Sequence, residues 1–181
     1  MFSAFSTMPI PLRSSGLLAF VFFGLSAAAQ FGAARTVHPF GGSAKMQSAD
    51  IDADGDLDLF GVFDQQHLKW FENTDGAGDL SNAQAITSIS GECHASLLAD
   101  VDGDLDPDIV LVSTEEDHVE VLFNDGSGNF ATPGMSLPTP GAPEALAAAD
   151  INGDGFQDLL VTLWFPGGAG FGWFPGTASG F

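Results

Sequence analysis

Three segments of this chain, fifty residues apart, repeat one aspartate-rich pattern without gaps, and any fold must accommodate that pattern three times. Residues 49–59 read ADIDADGDLDL, residues 99–109 ADVDGDLDPDI, and residues 149–159 ADINGDGFQDL. Counting from the first Asp, positions 1, 3, 5 and 9 are Asp or Asn in every copy. An apolar, β-forming run follows each: Leu59–Val62, Ile109–Val112 and Leu159–Val161. Such runs are short and bounded by turn formers, which predicts strands rather than helices. A second run follows in each repeat at 68–71, 119–123 and 171–174, and each leads into a Gly-rich turn. No segment after Gln30 keeps a helical period over ten or more residues. The order is strand, loop, strand, turn, strand, repeated, and a repeat of this length points to a propeller or an array.

Charge follows the same pattern. The chain carries 24 acidic and 4 basic residues, for a formal charge of −20. With no basic stripe to meet phosphates, nucleic-acid binding is excluded. A hydrophobic content of 45%, with 17 Phe and 3 Trp, is enough for a core, so this is no disordered acidic tail. The acid is local: thirteen of the 24 acidic residues lie in the three loops.

Residues 1–29 read as a secretory signal. Arg13 gives the positive flank, 16–25 an apolar stretch, and Ala27-Ala28-Ala29 a small-residue cleavage site. The apolar stretch is too short to span a bilayer. Export to the extracellular space or cell surface is expected, with the periplasm as the other possibility. Cys93 is the single cysteine, so no disulfide forms within the chain. It is expected to be a small buried hydrophobe, and an exported chain without disulfides needs another staple.

The loops offer one. Asp50, Asp52, Asp54, Asp56 and Asp58 fall within nine residues, as do Asp100, Asp102, Asp104, Asp106 and Asp108, while the third loop has Asp150, Asn152, Asp154 and Asp158. Neighbouring carboxylates repel by about 1 kcal/mol per pair even in water, and a hard dication relieves this. Ca²⁺, which takes six to eight oxygens in flexible geometry, suits such loops better than Mg²⁺. Positions 1, 3 and 5 converge if the loop curls, position 7 offers a carbonyl, and position 9 closes the site. A glycine at position 6 permits the turn in loops 1 and 3 (Gly55, Gly155). A single Asp/Gly run is commonly a solvated turn, but three in one register are not. The EF-hand shares the opening D-x-D-x-D-G, yet needs Glu at position 12 and flanking helices; position 12 is Gly61, Leu111 and Val161 here, with strands following.

The pattern D-x-[DN]-x-[DN]-G-x-x-D-[LIV] followed by a strand resembles the FG-GAP/VCBS repeat, found in the β-propeller of integrin α chains and in many secreted bacterial proteins. Phe40-Gly41-Gly42-Ser43-Ala44 is similar to the F-G opening of such repeats. The resemblance covers about residues 38–181. It implies blades of four antiparallel strands, with Ca²⁺ held between the first two by Asp50, Asp52, Asp54 and Asp58; by Asp100, Asp102, Asp104 and Asp108; and by Asp150, Asn152, Asp154 and Asp158. Loop 2 departs from the pattern. Leu105 replaces the position-6 glycine, where a left-handed backbone costs about 1–2 kcal/mol, and Pro107 removes a donor, so a distorted or weaker second site is expected.

The expected fold is therefore all-β: a partial β-propeller of about three four-stranded blades after the signal, with repeats near 38–88, 89–139 and 140–181. The last stops before its fourth strand, so further blades or a second chain would complete a ring. Catalysis is not expected. His38, His67, His94 and His118 form no zinc motif, no G-x-S-x-G elbow occurs, and the paired carboxylates already suit a metal loop. Trp70, Trp164 and Trp173 are expected in the core. The expected role is an extracellular binding or adhesion scaffold with structural calcium and a protein or glycan partner. The alternative is a carbohydrate-binding accessory module of a secreted polysaccharide-active enzyme, touching glycans through Trp164 or Trp173.

Overall fold

A computed structural model describes residues 33–34, 45–89, 91–113, 117–178 and 180–181. The expected signal (1–29), the Phe40–Ala44 opening and His38 lie outside the described residues. Within them the chain is all strands, turns and loops, without a helix. Three antiparallel sheets succeed one another, each a simple meander. Sheet one runs β1 (Lys45–Ala49), β2 (Asp58–Phe63), β3 (His67–Glu72) and β4 (Asn82–Ser88). Sheet two runs β5 (Cys93–Ala99), β6 (Asp108–Ser113), β7 (His118–Leu122) and β8 (Met135–Pro138). Sheet three has β9 (Ala142–Ala149), β10 (Asp158–Phe165) and β11 (Gly168–Phe174). This is a set of blades of a partial β-propeller, with four, four and three strands.

Local chemistry explains the meander. Between β2 and β3, Asp64 and Gln65 both take positive φ (47° and 62°), and the Gln66 N–H closes the turn on the Phe63 carbonyl at 3.1 Å. Two left-handed central residues make a turn whose twist matches that of the flanking strands. Register places each aspartate loop identically. Ala49 pairs with Asp58, Ala99 with Asp108 and Ala149 with Asp158, so the residues between them leave the sheet as a loop joining the first two strands.

Packing between sheets repeats as well. Because side chains alternate along a strand, each sheet has two faces. The forward face of sheet one presents Phe60, Val62, Leu68 and Trp70, which pack on Ile109, Leu111 and Leu122 of the backward face of sheet two. Sheet two then turns Val110, Val112, Val119 and Val121 toward Leu159, Val161 and Leu163 of sheet three. Fully burying one such side chain contributes about 1.5–3 kcal/mol. Polar ties reinforce the first junction. Gln47 on β1 donates to the Ser96 carbonyl at 2.8 Å and accepts from the Leu98 N–H at 2.9 Å, and Lys45 Nζ donates to the Cys93 carbonyl at 2.8 Å. Cys93 is 2% exposed within the core, and burial pushes its thiol pKa up, opposed by the charge on Lys45.

Trp70 is in the core as expected, but Trp164 and Trp173 are not: they are 60% and 49% exposed. They stand on the forward face of sheet three, where no fourth sheet covers them among the described residues.

Candidate metal sites

Each loop is wound by its own carboxylates. At position 1, Asp50 accepts the Gly55 N–H at 3.1 Å. Asp100 accepts those of Gly103 and Leu105 at 2.7 and 3.1 Å. Asp150 accepts those of Gly153, Asp154 and Gly155 at 2.7–3.1 Å. At position 5, Asp54, Asp104 and Asp154 each accept the N–H two residues on, at 2.9, 2.9 and 3.0 Å. Short polar side chains turn the backbone in this way wherever they compete with regular structure.

The curl needs two left-handed residues. Position 6 has φ of 99° at Gly55, 80° at Leu105 and 94° at Gly155. Loop 2 keeps the same left-handed turn: Leu105 takes the strained conformation at 86% exposure. Position 4 is left-handed too, at Ala53 (60°), Gly103 (85°) and Gly153 (77°), a requirement the sequence pattern did not disclose. Loop 3 alone has glycine at both. Replacing Leu105→Gly removes the Cβ penalty and gives up no packing, and is expected to stabilise the chain by about 1 kcal/mol. The readout is the urea midpoint at unchanged slope, and an unchanged or lower midpoint contradicts the assignment.

Position 9 carries a backbone task that positions 1, 3 and 5 do not share. Asp58, Asp108 and Asp158 are 1%, 0% and 0% exposed. In each, one oxygen accepts the N–H of position 2, from Ile51 (3.0 Å), Val101 (3.0 Å) or Ile151 (2.9 Å). The other accepts the N–H just beyond the third strand, from Asn73 (2.8 Å), Asn124 (2.9 Å) or Gly176 (2.8 Å). The position-9 carboxylate thus clamps the loop backbone against its own sheet, and in loop 2 Asp108 also lies in an acidic cluster.

Ion-binding geometry differs among the loops. In loop 1, oxygens of Asp50, Asp52 and Asp54 lie within 4.8 Å of one another, and in loop 2 those of Asp100, Asp102 and Asp108 do. Loop 3 gathers no such group among the described residues. Its position 3 is Asn152, which donates to Asp154 at 2.9 Å. Two acidic clusters could therefore hold a metal ion. In loop 1, Asp50 Oδ1 and Asp52 Oδ1 are buried without any hydrogen-bond donor. A buried anionic oxygen with no partner is costly, and a cation in the cluster would supply what is missing. Asp56 and Asp106 stand outside these groups. Their carboxylates lie against Gly76 and Gly126, where an added Cβ would come within 2.5 and 2.4 Å of them. Those glycines belong to the next turn, wound by Asp75 and Asp125 through N–H donors of Ala77, Asp79, Ser127 and Asn129.

Crowding marks the clusters electrostatically. Burial first, then the charges of Asp58 and Asp54, hold the Asp52 carboxyl above its usual range. Burial likewise raises Asp102. Burial pushes Asp108 up to about 6, its two N–H donors opposing and Asp102 and Asp104 adding. At Asp158 burial also raises, but the donors Gly176 and Ile151 outweigh it and the pKa falls below the ordinary value.

A carboxyl raised in the folded state binds its proton there while the unfolded chain has lost it. Without divalent cation, stability should therefore fall as pH rises from about 4 to about 6. Asp108, 0% exposed and shifted from 3.8 to about 6, contributes on the order of 3 kcal/mol. Asp75, Asp125 and Asp158, lowered in the fold, act with opposite sign only below about pH 4. Urea denaturation in chelator across this range tests the slope. A rise in stability from pH 4 to 6 contradicts it.

A cavity of about 440 Å³ opens beside loop 1, lined by Asp52, Trp70, Glu72 and Gln84 together with Asn129 of sheet two. Its acid faces the cluster and adds to the same field. Of the histidines, His94 pairs with Glu144 at 3.0 Å, and His67 and His118 lie on β3 and β7 away from both clusters.

No curated protein matches the chain by sequence. The family model for the FG-GAP-like repeat matches twice, over residues 50–111 and 100–161, each match opening at the first aspartate of a loop and running through the sheet into the next loop. With those matches spanning more than half the chain, and with loops placed between the first two strands of each sheet, the protein belongs to the FG-GAP-like repeat family.

Proposed function

We propose that this chain is an exported, non-catalytic repeat scaffold whose aspartate loops hold Ca²⁺ structurally, and whose loop ends carry recognition of an extracellular partner. FG-GAP-like repeats suggest an extracellular-type scaffold, and no helix among the described residues is long and apolar enough to cross a membrane. The observation that carries the reading is the pair of three-aspartate clusters, with two buried oxygens in loop 1 lacking any donor. All-oxygen, multiply anionic sites of flexible backbone suit Ca²⁺ over transition metals or Mg²⁺. The ligand set proposed is positions 1, 3 and 5 of each loop, with Asp108 joining in loop 2 and Asp58 and Asp158 acting first as clamps. Equilibrium dialysis against millimolar calcium should find two ions per chain firmly retained, with loop 3 weaker because Asn152 replaces a carboxylate. Retention of none ends the proposal.

A second reading, contact with glycans, is favoured by the exposure of Trp164 and Trp173 on one sheet face, since sugars stack on such rings. A glycan pull-down that fails with Trp164→Ala and Trp173→Ala but succeeds with the parent chain would establish it.

A further inference from the structure

Loop 3 differs from loops 1 and 2 at position 3, where Asn152 stands in place of Asp52 and Asp102. Of the chain's five asparagines, Asn73, Asn82, Asn124, Asn129 and Asn152, only Asn152 is followed by glycine. That neighbour matters chemically. A backbone nitrogen can attack the side-chain carbonyl of an asparagine just before it, and a Cβ on the attacking residue obstructs the approach. Gly153 has no Cβ, and one built there would meet nothing within 4 Å. Both residues are exposed, whereas Asn73 and Asn124 are buried.

The curl of the loop sets the reacting groups beside one another. The Gly153 N–H donates to Asp150 Oδ1 at 2.7 Å, so the nucleophile already directs its proton at a base. The Asp154 N–H donates to Asn152 Oδ1 at 2.8 Å, on the oxygen where negative charge develops during attack. Asn152 Nδ2 in turn donates to Asp154 Oδ2 at 2.9 Å, and the two bonds together fix which end of the amide is oxygen. Loop 2 has the shape of the product. Asp102 precedes Gly103, whose N–H donates to Asp100 Oδ1 at the same 2.7 Å, and the Asp104 N–H donates to Asp102 Oδ1 at 3.3 Å.

We propose that loop 3 is a self-modification site: Asn152 deamidates within the folded chain, with Asp150 as the base, and an aspartyl residue takes its place. The Gly153 nitrogen bonds to Asn152 Cγ as its proton passes to Asp150. The Cγ–Nδ2 bond then breaks, and Nδ2 departs with that proton as ammonia, leaving a succinimide ring. Water opens the ring. Addition at Cγ releases the Gly153 nitrogen and leaves aspartate at position 152; addition at the backbone carbonyl leaves isoaspartate, with the chain routed through the side chain. Asparagine and water become aspartate and ammonia, with no oxidant or cofactor. The aspartate form gives loop 3 a carboxylate at positions 1, 3 and 5, as loops 1 and 2 have. The reaction is intramolecular and needs no cation, so it stands apart from the calcium reading.

The full chain is aged in chelator, in warm and mildly alkaline buffer, and read by peptide mass spectrometry. The peptide containing residue 152 should gain the mass of OH over NH2, which both ring-opening products carry, while those containing Asn73, Asn82, Asn124 and Asn129 stay unchanged. Asn152→Asp supplies a reference: the aged chain should acquire a more acidic band that comigrates with it on isoelectric focusing. Asp150→Asn should slow the conversion about tenfold or more, as loss of a positioned base does. An amide retained at 152 in the folded chain, while the urea-unfolded chain converts, means that the loop protects the residue and overturns the proposal. Equal rates in the parent and Asp150→Asn chains, each folded by its urea transition, remove the base from the loop and overturn it as well.

Discussion

Chelating calcium from the folded chain is expected to lower its unfolding free energy by about 3–4 kcal/mol at millimolar ion. A site of about 0.1 mM affinity at 1 mM free ion stabilises by RT ln(1 + [L]/Kd), or about 1.4 kcal/mol. With the proposed calcium bound, loops 1 and 2 would supply two such sites, and loop 3, with Asn152 at position 3, would add less. The sum is a large share of the roughly 5–15 kcal/mol that holds an ordinary domain folded. It corresponds to a drop in Tm of about 10 °C for a chain of this size. The loss has a structural cause. Without the ion, Asp50 Oδ1 and Asp52 Oδ1 remain buried with no partner, and the clustered charges repel. Asp52→Asn removes part of that repulsion, so its effect should invert with conditions: stabilising in chelator, destabilising in calcium. Scanning calorimetry of both proteins in both buffers reads this directly. A Tm indifferent to chelator rejects the structural role of the ion.

Asp58→Ala should cost about 3–5 kcal/mol even in chelator, where no cation contributes. Both carboxylate oxygens accept backbone N–H groups, from Ile51 at 3.0 Å and Asn73 at 2.8 Å. The aspartate is 1% exposed and Ile51 0%. Removing the acceptor leaves two donors unpaired away from water, each costing about 1–3 kcal/mol, and charge-assisted bonds lie at the upper end. Asp58→Asn is no remedy, because its amide turns one donor toward another. Asp54→Ala makes the contrast: its bond is to an exposed N–H, so in chelator the change should be within about 1 kcal/mol. A ligand and a clamp are thereby separated by solvent condition. Equal losses for Asp54→Ala and Asp58→Ala in chelator would overturn the distinction.

Much of this was legible before any coordinates. The fifty-residue recurrence carried the all-β class, the placement of β2, β6 and β10 after each loop, and the loop between first and second strands. It did so because alternation and turn chemistry are local properties of a strand. The left-handed backbone at position 6 was equally readable from Gly55 and Gly155, and Leu105 adopts it at φ 80°. Position 4 is not legible in the sequence, because Ala53 breaks the glycine pattern that would reveal it. The exposure of Trp164 and Trp173 is not legible in the sequence for a related reason. Strand aromatics are buried when a neighbouring sheet lies on them, and sequence periodicity specifies a face without saying what lies opposite.

The sequence by itself determined which residues are anionic, how they are spaced, and that strands bracket them, since each depends on neighbours within about ten residues. Only the tertiary structure decided that Asp58, Asp108 and Asp158 clamp backbone across a sheet. Only it decided that, among the described residues, three carboxylates converge in loops 1 and 2 but not in loop 3, and that Trp164, Phe171 and Trp173 stay exposed on sheet three. These outcomes depend on distances between segments far apart in the chain, which packing sets and local pattern does not.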